Sequence, residues 1–528
     1  MAKLKISVGT PGIFVPALLG QFEADDIKKA TANEFKLKFA DDYADRPELQ
    51  GWSVSYKAQN GDFQYLGVEP VAGLVGSVEV RDADGVLVLK ISNFAEAEQM
   101  DLSDLSPRIV DGFGQGGPDY QKVFELLMHG NDTITGSNDD DSINPNLNAG
   151  NDVINALKGN DWVSGSGGND TMNGGDGFDV LDYGQTWWDS TAYRGIKVDM
   201  NTNVVDDSWG GTDTFSNFEQ INGSRFADTY IARTGDTENF QFFLGDRGAD
   251  KMIVEVGNQF WTSYIHDADN GGNRGIIANL GGVANGDGDV KGTIRDGFGT
   301  TDKTTNVHRV EGTFNDDSFT GSRLNDMFNG LKGADTFNGG DGVDFVLFDN
   351  SHQFGGEEGA VINFGAAKQI VNDGFGNAES ISGIEGFVGT RFNDKMTGGK
   401  GAQVFIGGGG QDTLKGGDGA DKFVFGFNNH RGEEFADVIK DFTSGKDVLV
   451  FSWANIDDLD AELHFSNRSG PRQKAGVSEF YFNADDSTLY LDTDGKGSNE
   501  AIAVAVLEGV ESLQASDFLM TRDYLNDL

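Results

Sequence analysis

"GADTFNGGDGVDFVL", residues 333–347, sets one aspartate at 335 and another at 344. Each lies beside glycines, and each is followed two places later by an apolar residue, Phe337 and Val346. An α-helix does not repeat at nine, and so much glycine would weaken one. The register extends outward from this stretch. Asp317 and Asp326 precede it at the same interval, followed by Phe319 and Phe328. An earlier run holds Asp132, Asp141, Asp152, Asp161, Asp170 and Asp179, broken once where "NPN" (144–146) intervenes; its followers are Ile134, Ile143, Ile154, Val163, Met172 and Leu181. A later run reads Asp394, Gln403, Asp412, Asp421, followed by Met396, Phe405, Leu414 and Phe423. Between the runs, Asp228 and Asp250 close "GSRFAD" and "LGDRGAD" in the same manner.

The chain has 528 residues, 76 of them Gly, and a formal net charge of −45. Its hydrophobic share of 37%, with 39 Phe, is too high for a disordered acidic tail, so the chain folds and something offsets its carboxylates. Nucleic acid and anionic membrane surfaces are poor partners for that charge, and hard cations are good ones. The absence of Cys excludes disulfides and thiolate chemistry. No apolar run reaches the length of a transmembrane helix. The N-terminal "MAKLKISVGTPGIFVPALLG" does not read as a classical signal peptide, since Pro16 interrupts it and no A-x-A site follows.

Three domains are expected. Residues 1–127 lack the repeat and alternate in "KLKISV", "EFKLKF" and "WSVSY"; "SVEVRDADGVLVLKI" (77–91) reads as a hairpin, and 120–127 as a short helix. Residues 128–425 carry the nonapeptides inside three larger units. "VLDYG" (180–184), "SYIHD" (263–267) and "VLFDN" (346–350) mark these units, each followed by a strand-like piece and an acidic glycine turn, "DSWGGTD", "DGFGTTD" and "DGFGNAE". Such an internal period means one supersecondary unit stacked on its copies. Residues 426–528 lose the repeat and form a β-rich cap.

Glycine supplies positive φ, so the chain can curl tightly and present carbonyls. Carbonyls joined by carboxylates suit a hard cation with several oxygen ligands. The follower starts a short inward-pointing strand, so one turn plus one strand fills nine residues and two repeats complete a coil. "GSGGNDTMN" (165–173), "GGDGFDVLD" (174–182), "GGDGVDFVL" (339–347), "GGGGQDTLK" (407–415) and "GGDGADKFV" (416–424) match the calcium-binding pattern GGxGxDxUx. The chain thus resembles the RTX (repeats-in-toxin) family of secreted proteins. The resemblance implies an all-β fold, a right-handed parallel β-roll binding several calcium ions between loops two repeats apart. It implies Asp161, Asp170, Asp179, Asp335, Asp344, Asp412 and Asp421 as leading ligands, then Asp152, Asp317 and Asp326, with Asp132, Asp141, Asp228, Asp250 and Asp394 in the same register. Gln403 keeps an oxygen without the charge. Residues 419–452 and 483–520 resemble the segments that follow the repeats in type I secretion substrates, which implies an uncleaved C-terminal export signal, the type I secretion machinery as a partner, and an extracellular location at a Gram-negative cell surface. "DTDGKGSNE" (492–500) misses the EF-hand pattern at Lys496.

None of the six histidines is followed by Glu, which excludes H-E-x-x-H, and no G-x-S-x-G elbow is present. Paired carboxylates are too numerous to assign. The sequence therefore favours a non-enzymatic structural role, as a surface-layer, filament, matrix or adhesin component. Such a protein would partner copies of itself or a cell-surface polysaccharide. The alternatives are a polysaccharide-acting enzyme or a calcium-dependent pore or effector. Trp187, Trp188, Trp209 and Trp261 are expected to pack over the coil rather than to stack on sugars.

Overall fold

The computed structural model describes residues 3–5, 27–31, 34–38, 53–58, 64–66, 69–72, 75–81, 87–92, 131, 133–136, 138, 140–143, 150–235, 239–282, 288–364, 370–426, 436–452, 465–470, 479–492, 501–521 and 524–525. The chain divides into two compact units, Met1–Arg233 with Gln241–Asp250, and Thr234–Phe240 with Lys251–Leu528. Asp132, the helix expected at 120–127 and the turn of the 77–91 hairpin lie outside the described residues.

In the first unit, five strands form an antiparallel sheet in the order Ile27–Thr31, Glu34–Lys38, Ser53–Ala58, Val75–Arg81, Leu87–Ser92. The last two are the arms of the expected hairpin. Lys3–Lys5 instead joins the roll, pairing in parallel with Thr133–Thr135. The roll itself has two faces. One runs Thr133–Thr135, Val153–Lys158, Thr171–Asp176; the other runs Ser142–Ile143, Trp162–Ser164, Val180–Asp182. Partners along a face are parallel and one coil apart, as in Ile154 with Met172 and Val163 with Leu181. This is the β-roll that the nine-residue period requires.

The larger units are hairpin insertions in one face. After Asp182 the chain forms the antiparallel strands Lys197–Asp199, Val204–Asp206 and Thr212–Ser216, and the last of these resumes the coil beside Thr171–Asp176. The second unit repeats the device with Ile277–Asn279, Lys291–Arg295 and Thr301–Thr305, and again with Val361–Asn363 and Ile370–Asn372. Its roll continues beyond the nonapeptides. Val448–Ser452 pairs in parallel with Lys422–Gly426 and with Phe518–Thr521, and the antiparallel run Glu479–Asn483, Thr488–Asp492, Ile502–Leu507 closes the other face.

The followers fill the interior. Ile134, Ile154, Met172, Leu181, Phe319, Phe328, Phe337, Phe405 and Phe423 are all buried. The rings pile up along the coil axis: Phe319 and Phe337, one coil apart, stack at 5.0 Å and 7°, and Phe405 stacks on Phe423 at 5.6 Å. Full burial of one such ring contributes about 1.5–3 kcal/mol. The turns impose the complementary demand. A Cβ on Gly168 (φ +134) or Gly177 (φ +148) would lie 1.7 Å from the carbonyl oxygen of Gly150 or Gly159 in the neighbouring coil. Glycine is required there by both conformation and approach.

Candidate metal centres

Each repeat aspartate ends its turn with the side chain directed at the adjacent coil. At eight of them Oδ1 accepts there the backbone N–H of the equivalent residue, while Asp228, Asp317 and Asp394 accept from Ile196, Ile276 and Ala360 of the hairpin insertions. Asp161, Asp170 and Asp179 accept from Asp141, Asp152 and Asp161, each at 2.8 Å. Asp250 accepts from Asp228, Asp335 from Asp317, Asp344 from Asp326, Asp412 from Asp394 and Asp421 from Gln403, at 2.7–2.9 Å. The result is a ladder of carboxylates along the edge of the roll. The sequence-derived positions 141, 152, 161, 170, 179, 228, 250, 317, 326, 335, 344, 394, 412 and 421 are all at most 3% exposed.

Several rungs were not legible in the nine-residue register. Asp213 and Glu219 accept the N–H groups of Asp170 and Asp179 across 43 and 40 residues. Glu379 and Glu385 do the same for Asp335 and Asp344 across 44 and 41. Asp437 and Asp447 serve Asp412 and Asp421 beyond the last nonapeptide. A second ladder runs one residue earlier, with Asn151, Asn169 and Asn393 among its rungs. The recurrent Asn-Asp or Asp-Asp pair is its sequence signal. In the second hairpin copy His308 holds the backbone place of Glu219 and Glu385, and burial pushes its imidazole down to about 4.

What the other carboxylate oxygen does divides the turns into two kinds. Where the residue four places earlier is Ser or Thr, that residue satisfies the aspartate. Thr313 N–H donates to Asp317 Oδ2 (2.7 Å) and its hydroxyl to Oδ1 (3.0 Å). Ser224 serves Asp228, Ser322 serves Asp326 and Thr390 serves Asp394 in the same way. Where that residue is Leu157, Gly175, Gly340 or Gly417, all at positive φ, there is no hydroxyl. The Oδ2 atoms of Asp161, Asp179, Asp344 and Asp421 are then buried without a hydrogen-bond partner.

Burial, reinforced by neighbouring carboxylates, raises these groups from their ordinary 3.8: Asp179 to about 6, Asp161 and Asp344 to about 7. An ionised carboxylate buried with an unpaired oxygen is costly, and a cation resolves the cost. The donors fit a hard ion, since carbonyls line the glycine turns and carboxylates end them. Among the described residues no three acidic or histidine side chains converge as an all-side-chain metal cage. Any ion must therefore use backbone oxygens too.

Two family models match this architecture. The RTX calcium-binding nonapeptide repeat (four copies) matches residues 130–147, 146–181 and 311–347, and the serralysin C-terminal domain of M10 peptidases matches 338–520. The chain carries the RTX repeats and the serralysin-type C-terminal domain that are typical of type I secreted RTX proteins. Accordingly it binds calcium and is exported by the type I route to the extracellular space. Among solved structures it is similar to the extracellular lipase LipA from Serratia marcescens, at 13% identity and a TM-score of 0.18, over 74% of this chain and 40% of that one. The chain thus spans well under two thirds of that lipase. No curated protein matches it. Among the described residues no helix is long and apolar enough to cross a membrane.

Proposed function

We propose that this RTX protein is a structural component of a Gram-negative cell surface, a layer, filament, matrix or adhesin subunit that folds and assembles on meeting extracellular calcium. The observation that carries the reading is the ladder itself. The repeat carboxylates among the described residues hold one coil to the next, and the chain carries neither the zinc-protease nor the serine-hydrolase motif. Calcium is held by the aspartates whose turns lack the Ser or Thr hydroxyl, led by Asp161, Asp179, Asp344, Asp412 and Asp421. In the Ser/Thr turns Asp228, Asp317, Asp326 and Asp394 serve as internal caps. Asp141, Asp152, Asp170, Asp250 and Asp335 continue the same ladder, and Asp132 shares their register in the sequence. The domain plan of this reading is a β-rich N-terminal domain at 1–127, the roll at 128–425, and a β-rich cap with the export signal at 426–528.

Electron microscopy and sedimentation of the purified protein, with and without calcium, test assembly. Ordered sheets or filaments with calcium support the reading. A monomer at high concentration in saturating calcium overturns it.

One observation favours polysaccharide as the adhesive partner. Trp188 is 80% exposed and Tyr193 is 63% exposed on the first hairpin insertion. Contrary to expectation, Trp188 does not pack over the coil. Trp187 and Trp209 are half-buried and donate to Asp246 and Asp189, and Trp261 packs against the core. Exposed rings of this kind stack on sugars. Retention of the protein on insoluble polysaccharide, lost in Trp188→Ala, would support it, and equal retention of the two would oppose it.

A further inference from the structure

The three hairpin insertions return to the roll through the same acidic turn, and they differ in how its charge is met. Asp207, Asp296 and Asp373 are each fully buried, and the Oδ1 of each accepts backbone N–H groups from the turn that follows. Six residues on stand Asp213, Asp302 and Glu379, all buried.

In the first copy Tyr183 donates its hydroxyl to Asp213 Oδ2 at 2.7 Å, and in the second Tyr264 donates to Asp302 Oδ2 at 2.8 Å. An arginine lies over the turn in both. Arg194 donates to the Asp207 carbonyl at 2.8 Å, and its charge acts on the Asp207 carboxylate, whose own Oδ2 has no hydrogen-bond partner. Arg274 stands in the same place in the second copy, close over Gly299.

The third copy has lost both partners. The backbone hydrogen bonds that place Tyr183 and Tyr264 on the coil place Phe348 there, without a hydroxyl. Those that place Arg194 and Arg274 beside the turn place Glu358 there, an added negative charge. The acid is lengthened from Asp to Glu. Glu379 Oε2 accepts the Asp335 N–H at 2.6 Å, while its buried Oε1 has no hydrogen-bond partner. Glu379 is 4% exposed, and the nearby Asp373 carboxylate acts on it; Asp373 Oδ2 itself accepts only the neutral side-chain amide of Asn377, at 3.0 Å. A neutral amide leaves the charge of two neighbouring buried carboxylates uncompensated, and a cation beside them would meet it.

We propose that Asp373 and Glu379 hold a divalent hard cation, calcium in the extracellular medium, at a site outside the nonapeptide loops. The ion takes the place of the tyrosine hydroxyl and the arginine of the other two copies. Glu358, at the mouth of the turn, adds negative charge where the ion enters. Two carboxylates suit a hard ion such as calcium, and a turn rich in Gly (374, 376) offers carbonyls without steric cost.

The competing occupant is a single shared proton. Native mass spectrometry of the full chain, transferred from calcium-saturated solution near pH 7.5, separates the two by counting ions. Glu379→Gln keeps an acceptor for the Asp335 N–H and removes the charge; it should carry one calcium fewer than the parent. The triple change Phe348→Tyr, Glu358→Arg, Glu379→Asp rebuilds the arrangement of the first copy. It should also fold and carry one fewer, which keeps the test informative if Glu379→Gln does not fold. An unchanged count in either folded variant would overturn the site and leave the proton. The total count in the parent reports separately on the nonapeptide loops.

Discussion

The turn ending at Asp394 and the turn ending at Asp421 have the same backbone task and nearly the same length, yet they treat their aspartates differently. At Asp394 the hydroxyl and amide of Thr390 meet the carboxylate from within the turn. At Asp421 the corresponding residue is Gly417 at φ +88, and the buried Oδ2 is left over. The difference teaches that the aspartate by itself is a structural device, a rung tying one coil to the next. A turn without that hydroxyl, whether it holds Gly417 or Leu157, leaves an oxygen over. Extracellular calcium modules bind at about 10⁻⁴ to 10⁻³ M, so this second kind of turn makes folding depend on leaving the cell.

The largest expected effect is removal of calcium. With excess chelator at pH 8 the turns that lack the hydroxyl should open and take the roll with them, and far-UV circular dichroism should lose most of its β signal. Full β content under those conditions would break the distinction between the two turns.

Next comes pH in the absence of calcium. Burial raises Asp161, Asp317, Asp344 and Asp394 to about 7 and Asp326 to about 8, against 3.8 in the unfolded chain. Between those values the folded state holds protons that the unfolded state has released. The stability they contribute is therefore fully present below about pH 4 and is lost as pH rises through about 7 to 8. Metal-free protein should regain structure in acid, and calcium should restore it at neutral pH. Melting curves across pH 4–8 with chelator check this; a midpoint rising with pH would contradict it.

The third effect is smaller and local. Thr390→Val removes the hydroxyl bond to Asp394 and should cost about 1–3 kcal/mol with or without calcium. A loss that appeared only in calcium would place a metal at the capped turn. Smallest of all is Leu331→Gly. Leu331 sits at φ +60, a region that disfavours side chains. It is also buried against the coil, so relief of strain, about 1 kcal/mol, should be largely offset by lost packing. A change in calcium affinity there would be unexpected.

Much of this was legible in the sequence. The period of nine gave the turn, the inward follower and the parallel face, because each is a local demand of one coil on its own residues. Phe319, Phe328 and Phe337 stand where that period places them. Asp213, Glu219, Glu379 and Glu385 were not legible, because a hairpin insertion separates each from the rung it serves, and the period cannot be counted across it. The division of the aspartates was not legible either. Ser322 and Gly340 occupy the same place before Asp326 and Asp344, and the significance of that residue emerges once its hydroxyl is seen on the carboxylate. The continuation through Asp437 and Asp447 was hidden for a third reason: there the coil is kept while the glycine signature is gone.

The most direct test compares calcium binding by Asp344→Asn and Asp326→Asn, neighbouring rungs one coil apart. Asparagine keeps an oxygen for the backbone N–H and removes the charge. Calorimetric titration near pH 7.5 should show Asp344→Asn losing at least one bound calcium and folding at a higher calcium concentration, while Asp326→Asn keeps the parent's stoichiometry. Equal losses in the two variants, or a loss confined to Asp326→Asn, would contradict the assignment of calcium to the turns that lack the hydroxyl.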